Sequence, residues 1–342
     1  YINNPVKTTR RVGPASVLNR RECIKPNNPS THLRDMAEGS IGGNFLGLEE
    51  STREGADIAI LSLPYELTVS YGQGTENGPA ACIEASAQVE LHDPLLNEDL
   101  PAGRTIFTAD PWDGEGGSLA AQLEGIEKYL QEWTEGQVFP IVLGGEHGSL
   151  PAIMRALSNH PTLAGDLSRL TVVQIDAHAD LRDELEGDNY SHACAARRAL
   201  DEGVGNLLQI GVRAYSREEE DFINSDERVS TWFARDFLAP SSGRQGWDNL
   251  LAEISALTGP VWLTFDIDGL DGSLVPHTGT PVPGGLAHWQ AVEIIETLFA
   301  ATQVEVIGAD IAEIVAGNDS NLTQFSAAMI ATKIVAAHIA TL

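Results

Sequence analysis

The chain has 342 residues, with 49 Asp or Glu against 21 Lys or Arg and a formal net charge of −28. That balance argues against nucleic acid, which a basic face would attract, and favours cationic small molecules through long-range attraction. Three cysteines, Cys23, Cys82 and Cys194, lack paired spacing, which points to a reducing compartment, the cytoplasm, and away from a thiolate metal site.

Residues 1–50 are rich in Pro, Asn and Gly and hold Lys7, Arg10, Arg11, Arg20, Arg21, Lys25 and Arg34, a third of the 21 basic residues. They read as an irregular N-terminal extension, an arm able to pack on an acidic body of its own chain or a neighbour's. Because the sequence starts at Tyr1 rather than Met, a leader ahead of it is compatible with the chain. Residues 51–342 read as a single catalytic domain. Short apolar runs predict strands at Ile58–Leu63, Thr105–Thr108, Phe139–Leu143, Leu170–Ile175, Leu207–Val212, Val229–Phe233, Val261–Phe265 and Val304–Ile311. Between them, helical patterns fall near Ala80–Val89, Ser118–Glu132, Ser149–Ser158, His192–Glu202, Trp247–Leu257, Ala287–Ala300 and Asn321–Ile339. Near-continuous apolar strands alternating with helices predict a mostly parallel sheet covered on both faces, a three-layer α/β/α domain. No apolar run is read as long enough to cross a membrane, so no membrane partner is expected.

Three of these strands end in potential metal ligands. Phe139–Leu143 runs into Gly144-Gly145-Glu146-His147, Leu170–Ile175 into Asp176-Ala177-His178-Ala179-Asp180, and Val261–Phe265 into Asp266-Ile267-Asp268. Residues two apart in extended chain point the same way, so each cluster can converge on one point. Ligands collect beyond the carboxyl ends of strands in open parallel sheets. Taken singly, an Asp-x-His or Asp-x-Asp is as well explained by a cap or turn. Three together form a hard oxygen/nitrogen set suited to Mn, Ni or Fe. Six side chains exceed the needs of one ion with an open position, and two ions sharing carboxylates is the natural arrangement.

These segments, with Thr264 to Asp271, Gly74-x-x-x-Gly78-Pro79 and Thr278-Gly279-Thr280-Pro281, resemble the signature stretches of the ureohydrolases, the superfamily of arginase and agmatinase. The resemblance runs from about Ile58 to the C-terminus and implies a single α/β/α domain with an eight-stranded parallel sheet. It implies that His147, Asp176, Asp180 and Asp266 hold one divalent ion and Asp176, His178, Asp266 and Asp268 the other. It further implies hydrolysis of a guanidino C–N bond with release of urea. Asp180 would orient the attacking oxygen, Glu313 after the last strand would receive the guanidinium, and His192 would pass a proton to the leaving amine. Taken alone, Glu313 is a loop glutamate and His192 a helix-start residue beside the Ser191 cap. A Cys194–His192 nucleophile pair has no orienting or oxyanion motif to accompany it.

Departures from the family pattern bear on substrate. Arg182 stands where arginases usually place an Asn that recognises the amino-acid head, which argues against arginine. Glu146 replaces the usual Asp before the metal His, Gly148 the usual Ser after it, and Ala193-Cys194 a common Gly-Thr or Gly-Ser pair. His277 occupies a loop position where a small residue is usual and would close the channel for an aminobutyl tail. With Thr68 as a further hydroxyl contact to substrate, these departures resemble the branch that hydrolyses free guanidine with nickel. Agmatine or another small guanidino compound, with manganese, is the alternative. A homologue that binds metal or ligand without catalysis belongs to a different class of reading. The resemblance also implies a homo-oligomer, trimer or hexamer, and metal-loading accessory proteins as partners.

Overall fold

The structure, a computed structural model, describes residues 43–114, 117–241 and 243–342. The basic stretch of the expected arm and Cys23 lie outside the described residues. Within the part of the 1–50 stretch that is described, Phe45 and Leu46 are buried, on a short turn against the first helix, and belong to the core.

In chain order the elements are β1 (Ile58–Leu63), α1 (Gly78–Ser86), a small hairpin of β2 (His92–Asp93) and β3 (Glu98–Asp99), β4 (Ile106–Thr108), α2 (Leu119–Thr134), β5 (Phe139–Gly144), α3 (Leu150–Leu157), β6 (Thr171–Ile175) and α4 (Ala195–Asp201). There follow β7 (Asn206–Val212), α5 (Arg217–Ser225), β8 (Val229–Phe233), α6 (Ala234–Phe237), α7 (Gly243–Ser255), β9 (Gly259–Asp266), α8 (His288–Ala300), β10 (Val304–Ala312) and α9 (Leu322–Ile339). Eight strands form one sheet in the order β4-β1-β5-β10-β9-β6-β7-β8. Every pairing in it is parallel. The predicted α/β/α architecture is what the chain adopts.

Alternation along the strands makes two cores from one sheet. Ile58, Ile60, Ile141, Val173, Leu263 and Phe265 pack with α1, α7, α8 and α9 on one face. Ala59, Leu61, Val142, Val172, Leu207 and Trp262 pack with α2, α3 and α4 on the other. Helix α9 corrects one expectation: by length and composition it is apolar enough to cross a membrane, yet 78% of it is buried inside the fold, and it is a core helix. Helices α5 and α6 and the β2–β3 hairpin escaped the apolar pattern. The sequence of α5 is mostly charged, and its readable sign was the Ser216-x-x-Glu219 capping box, which the structure forms from both sides.

Sheet order places the site. Strands β5, β10, β9 and β6 are neighbours at the centre, although β5 and β10 are far apart in sequence. The winding changes direction here, and at such a switch the loops leaving the carboxyl ends splay apart and open a crevice. The loops after β1 and β5 meet very closely. Gly145 N donates to Leu63 O at 2.8 Å, and a Cβ on Gly145 would stand 2.1 Å from Tyr65 O. Only a glycine admits that approach. Gly145→Ala is expected to cost about 1–3 kcal/mol through overpacking, read as a lower midpoint in urea. An unchanged midpoint would show that the two loops separate freely.

Candidate metal centre and substrate cleft

Each acidic motif is built twice over, by its own turn and by its neighbours. Asp176 Oδ1 accepts from His178 N at 2.6 Å and Asp266 Oδ1 from Asp268 N at 2.9 Å. These are the local turns that such motifs make in isolation. They also aim the remaining oxygens inward. Asp268 Oδ1 accepts from Ala177 N at 3.0 Å, which ties the loop after β9 to the loop after β6. The turn reading and the ligand reading are both true of these residues.

The ligand atoms of His147, Asp176 and Asp180 all lie within 4.8 Å of one another, as do those of Asp176, His178 and Asp268. Asp176 is common to the two groups. His147 Nδ1 stands 2.9 Å from Asp180 Oδ2, 3.3 Å from Asp176 Oδ2 and 3.5 Å from Asp266 Oδ2. It is buried and makes no hydrogen bond. His178 Nδ1 is 3.0 Å from Asp268 Oδ2 and 3.6 Å from Asp176 Oδ1. The structure thus brings together all six residues read from the three strand ends.

Electrostatics show how unusual the grouping is. Burial, then the neighbouring carboxylates, pushes Asp266 well above the usual carboxylate range and Asp180 up to about 7. Against the effect of burial, Asp176 and Asp180 hold His147 protonated well beyond the ordinary imidazole range. Likewise against burial, Asp268 and Asp176 push His178 up to about 12. Buried carboxylates demand positive charge, and here imidazolium supplies it. An orphaned imidazole nitrogen facing three carboxylate oxygens is a donor set that fits divalent cations, which would take over that role.

Behind the site runs a polar row that the sequence reading missed. Asp310, Thr264, Gln174, Gln209 and Thr231 are register partners across β10, β9, β6, β7 and β8. Thr264 Oγ1 donates to Asp310 Oδ2 at 2.8 Å and lies 2.9 Å from His147 Nε2. Its one proton is committed to Asp310, so His147 carries a proton on Nε2 and Nδ1 is the nitrogen turned toward the carboxylates. Gln174 Nε2 donates to Asp176 Oδ2 at 2.7 Å, Gln209 Nε2 to Gln174 Oε1 at 2.8 Å, and Thr231 Oγ1 to Gln209 Oε1 at 2.8 Å. The signal was a polar residue within each of five largely apolar strands. It acquires meaning only when the strands are aligned.

The cleft over the centre has a volume of about 320 Å³ counted to its open mouth, lined by the ligand residues other than Asp176 with Val69, Ser70, His192, Gly279, Thr280 and Glu313. Glu313 and Asp180 both have left-handed backbone, at φ of 62° and 53°, uncommon for non-glycine residues and typical of functional sites. Glu313 is held by its N–H to Gly145 O at 2.7 Å and by His147 N donating to Oε1 at 2.9 Å. Burial and the charge of Glu146 push it up to about 8. His192 opens the turn before α4, with burial holding its imidazole below the ordinary value.

Other sequence candidates sit differently. His277 is turned to Asp319 Oδ1 at 2.8 Å and is not among the residues lining the cleft. The Thr68 hydroxyl is taken up by Glu146 and by His192 N, while the next two residues form the cleft wall. Arg182 faces Glu219 of α5 at 3.9 Å, and Glu219 Oε1 also accepts from Leu181 N at 3.2 Å. Cys194 is buried, and that burial pushes its thiol up to about 11, which disfavours a nucleophilic role.

Residues 56–337 match the family model described as "Arginase family". The chain belongs to the arginase family. Similar family members include an N(1)-aminopropylagmatine ureohydrolase of Synechocystis sp., 34% identical over 82% of this chain and 88% of that one. An agmatinase of Pyrococcus horikoshii is 33% identical over 80% and 89%. Among solved structures, the agmatine ureohydrolase of Thermoplasma volcanium superposes with a TM-score of 0.70 at 27% identity, covering 85% of this chain and 92% of its own. The chain is a metal-dependent ureohydrolase of the agmatinase branch, and the His/Asp groups above are the family's two-metal site.

Two outcomes follow. Asp176→Asn is expected to abolish metal retention and turnover while the fold persists, measured as bound metal after gel filtration; full retention would contradict a shared position for Asp176. Thr264→Val is expected to weaken metal affinity about 10–100-fold, the usual effect of losing a residue that orients a ligand. Competition with a chelator reads this, and unaltered affinity would mean that His147 is oriented without Thr264.

Proposed function

We propose that this chain hydrolyses a small aliphatic guanidine and releases urea, with agmatine and its N-substituted derivatives as the first candidates. The names of the relatives at about 33% identity support that order, ahead of the free guanidine favoured by sequence departures alone. The observation that carries the reading is a buried carboxylate, Glu313, sharing one small cleft with the His/Asp cluster.

In this proposal His147, Asp176, Asp180 and Asp266 hold one divalent cation, and Asp176, His178, Asp266 and Asp268 the other. When bound, the pair supplies the counter-charge and a water ionised near neutral pH. The chain's own residues do the rest. Glu313 accepts the forked donors of a guanidinium bidentately and fixes the plane of its central carbon. A guanidinium beside it favours its ionised form, offsetting the burial that raises it. Its Oε2 is approachable because position 279 has no side chain; a Cβ there would lie 3.1 Å away. Asp180 orients the attacking oxygen, and His192 delivers a proton to the departing amine. Arg182, held toward Glu219, replaces the neutral residue expected for an amino-acid head group, which disfavours arginine.

Free guanidine is a second reading, with a specific observation behind it. Only about 20 Å³ of the cleft is open to a water-sized group, far below ordinary ligand pockets, roughly 300–1,000 Å³. Among the described lining residues, no carboxylate beyond the ligand set and Glu313 is present to receive the ammonium of a longer tail. Manganese accompanies the first reading and nickel the second; the donor set accepts either.

A urea-release panel tests this, with Mn-, Ni- and Co-loaded protein offered agmatine, aminopropylagmatine, guanidine and arginine separately. Urea from agmatine or aminopropylagmatine, and none from arginine, is the expected result. Urea from guanidine alone selects the second reading. Urea from none of the four overturns the hydrolase and leaves a metal- or ligand-binding homologue.

A further inference from the structure

Glu146 is fully buried one residue before His147, and its carboxylate is bonded to the loop after β1 and belongs to neither candidate metal group. Oε2 accepts from Leu67 N and Thr68 N, both at 2.7 Å, and Oε1 accepts from the Thr68 hydroxyl. The loop so gripped continues directly into Val69 and Ser70, which wall the cleft. The same hydroxyl accepts from His192 N at 3.0 Å and lies 3.3 Å from His192 Nδ1. A hydroxyl has one proton. With that proton committed to Glu146, Thr68 can meet the imidazole only as an acceptor, so Nδ1 carries hydrogen and Nε2 is left basic. Nε2 lies 3.5 Å from Ser70 Oγ, on the cleft side. Ser191 Oγ, 3.4 Å from Nδ1, is the longer and weaker competitor.

Position 148 completes the arrangement. A Cβ on Gly148 would stand 2.8 Å from Glu146 Oε1 and 3.4 Å from both His192 N and Tyr190 O. The long acid at 146 and the bare backbone at 148 are therefore one device. The extra methylene relative to Asp carries the carboxylate out to the 67–68 amides, into room that any side chain at 148 would occupy.

We infer that Glu146 is a positioning residue that pins the Leu67–Ser70 wall and, through Thr68, sets the placement and tautomer of His192, and that Gly148 exists to admit it. Its kinetic consequence rests on the proposed hydrolysis; its structural consequence does not. Glu146 touches no reacting atom, and its effect passes through the wall and the imidazole.

The test uses the metal-loaded full chain and the variants Glu146→Asp, Gly148→Ser, the double variant and Thr68→Val. Glu146→Asp is expected to raise amide hydrogen exchange at Leu67 and Thr68 at least tenfold and to lower kcat about tenfold with metal content unchanged. Thr68→Val should keep those amides protected yet lower kcat, because the hydroxyl link alone is lost. Gly148→Ser should lower the unfolding midpoint when Glu146 is present but be tolerated in the Glu146→Asp background, a non-additive cycle. Wild-type exchange and kcat in Glu146→Asp, or an equal effect of Gly148→Ser in both backgrounds, would overturn the inference. Should wild-type protein release no urea from any guanidine, the activity reading falls alone, and exchange with the midpoint cycle still judges Glu146.

Discussion

Four aspartates, Asp176, Asp180, Asp266 and Asp268, are buried together at the carboxyl ends of two adjacent strands, and most of the structure answers to that crowding. Like charges in a poorly solvated space oppose ionisation, so the group holds its charge only against cations. Within the chain, His147 and His178 meet part of the demand. The donor set is that of a two-metal hydrolase for the same reason. Charges that are costly to bury without a cation make strong ligands when one arrives.

Holding such a cluster in register requires a rigid frame, and the sheet provides it in two ways. Its apolar residues fill both faces with packed cores. One polar row, Asp310 to Thr231, crosses five strands and delivers hydrogen bonds to His147 and Asp176. The Thr264 contact fixes which imidazole nitrogen of His147 faces inward, and Gln174 holds the Asp176 oxygen that faces it. The two acidic residues at the cleft with left-handed backbone, Asp180 and Glu313, add conformations that only a well-determined surrounding sustains.

Above the frame, the cleft belongs to loops. Glu146 holds the loop after β1, so the segment carrying His147 also holds the Val69–Ser70 wall of the cleft. The cleft walls are thus set by how the 67–70 segment and the 277–280 loop are held. His277 illustrates this: its ring is drawn outward by Asp319 instead of filling the channel.

Much of this was legible beforehand because it is local. Apolar runs of strand length, helix-period segments between them and acidic motifs at strand ends are properties of short windows, and the observed elements match them within a few residues. The charged helix α5 was hidden because its sequence has little apolar face, and α9 was read as a helix but not as one whose length and composition suit a bilayer. What no window contains is strand order. Only the folded sheet sets β5, β10, β9 and β6 side by side, aligns five polar residues from separate strands into a row, and lets a carboxylate at 146 meet amides 78 and 79 positions away. Residue type and spacing settle which groups can bind a cation; the long-range packing of strands settles which of them share one, because convergence is a property of distances in space and not along the chain.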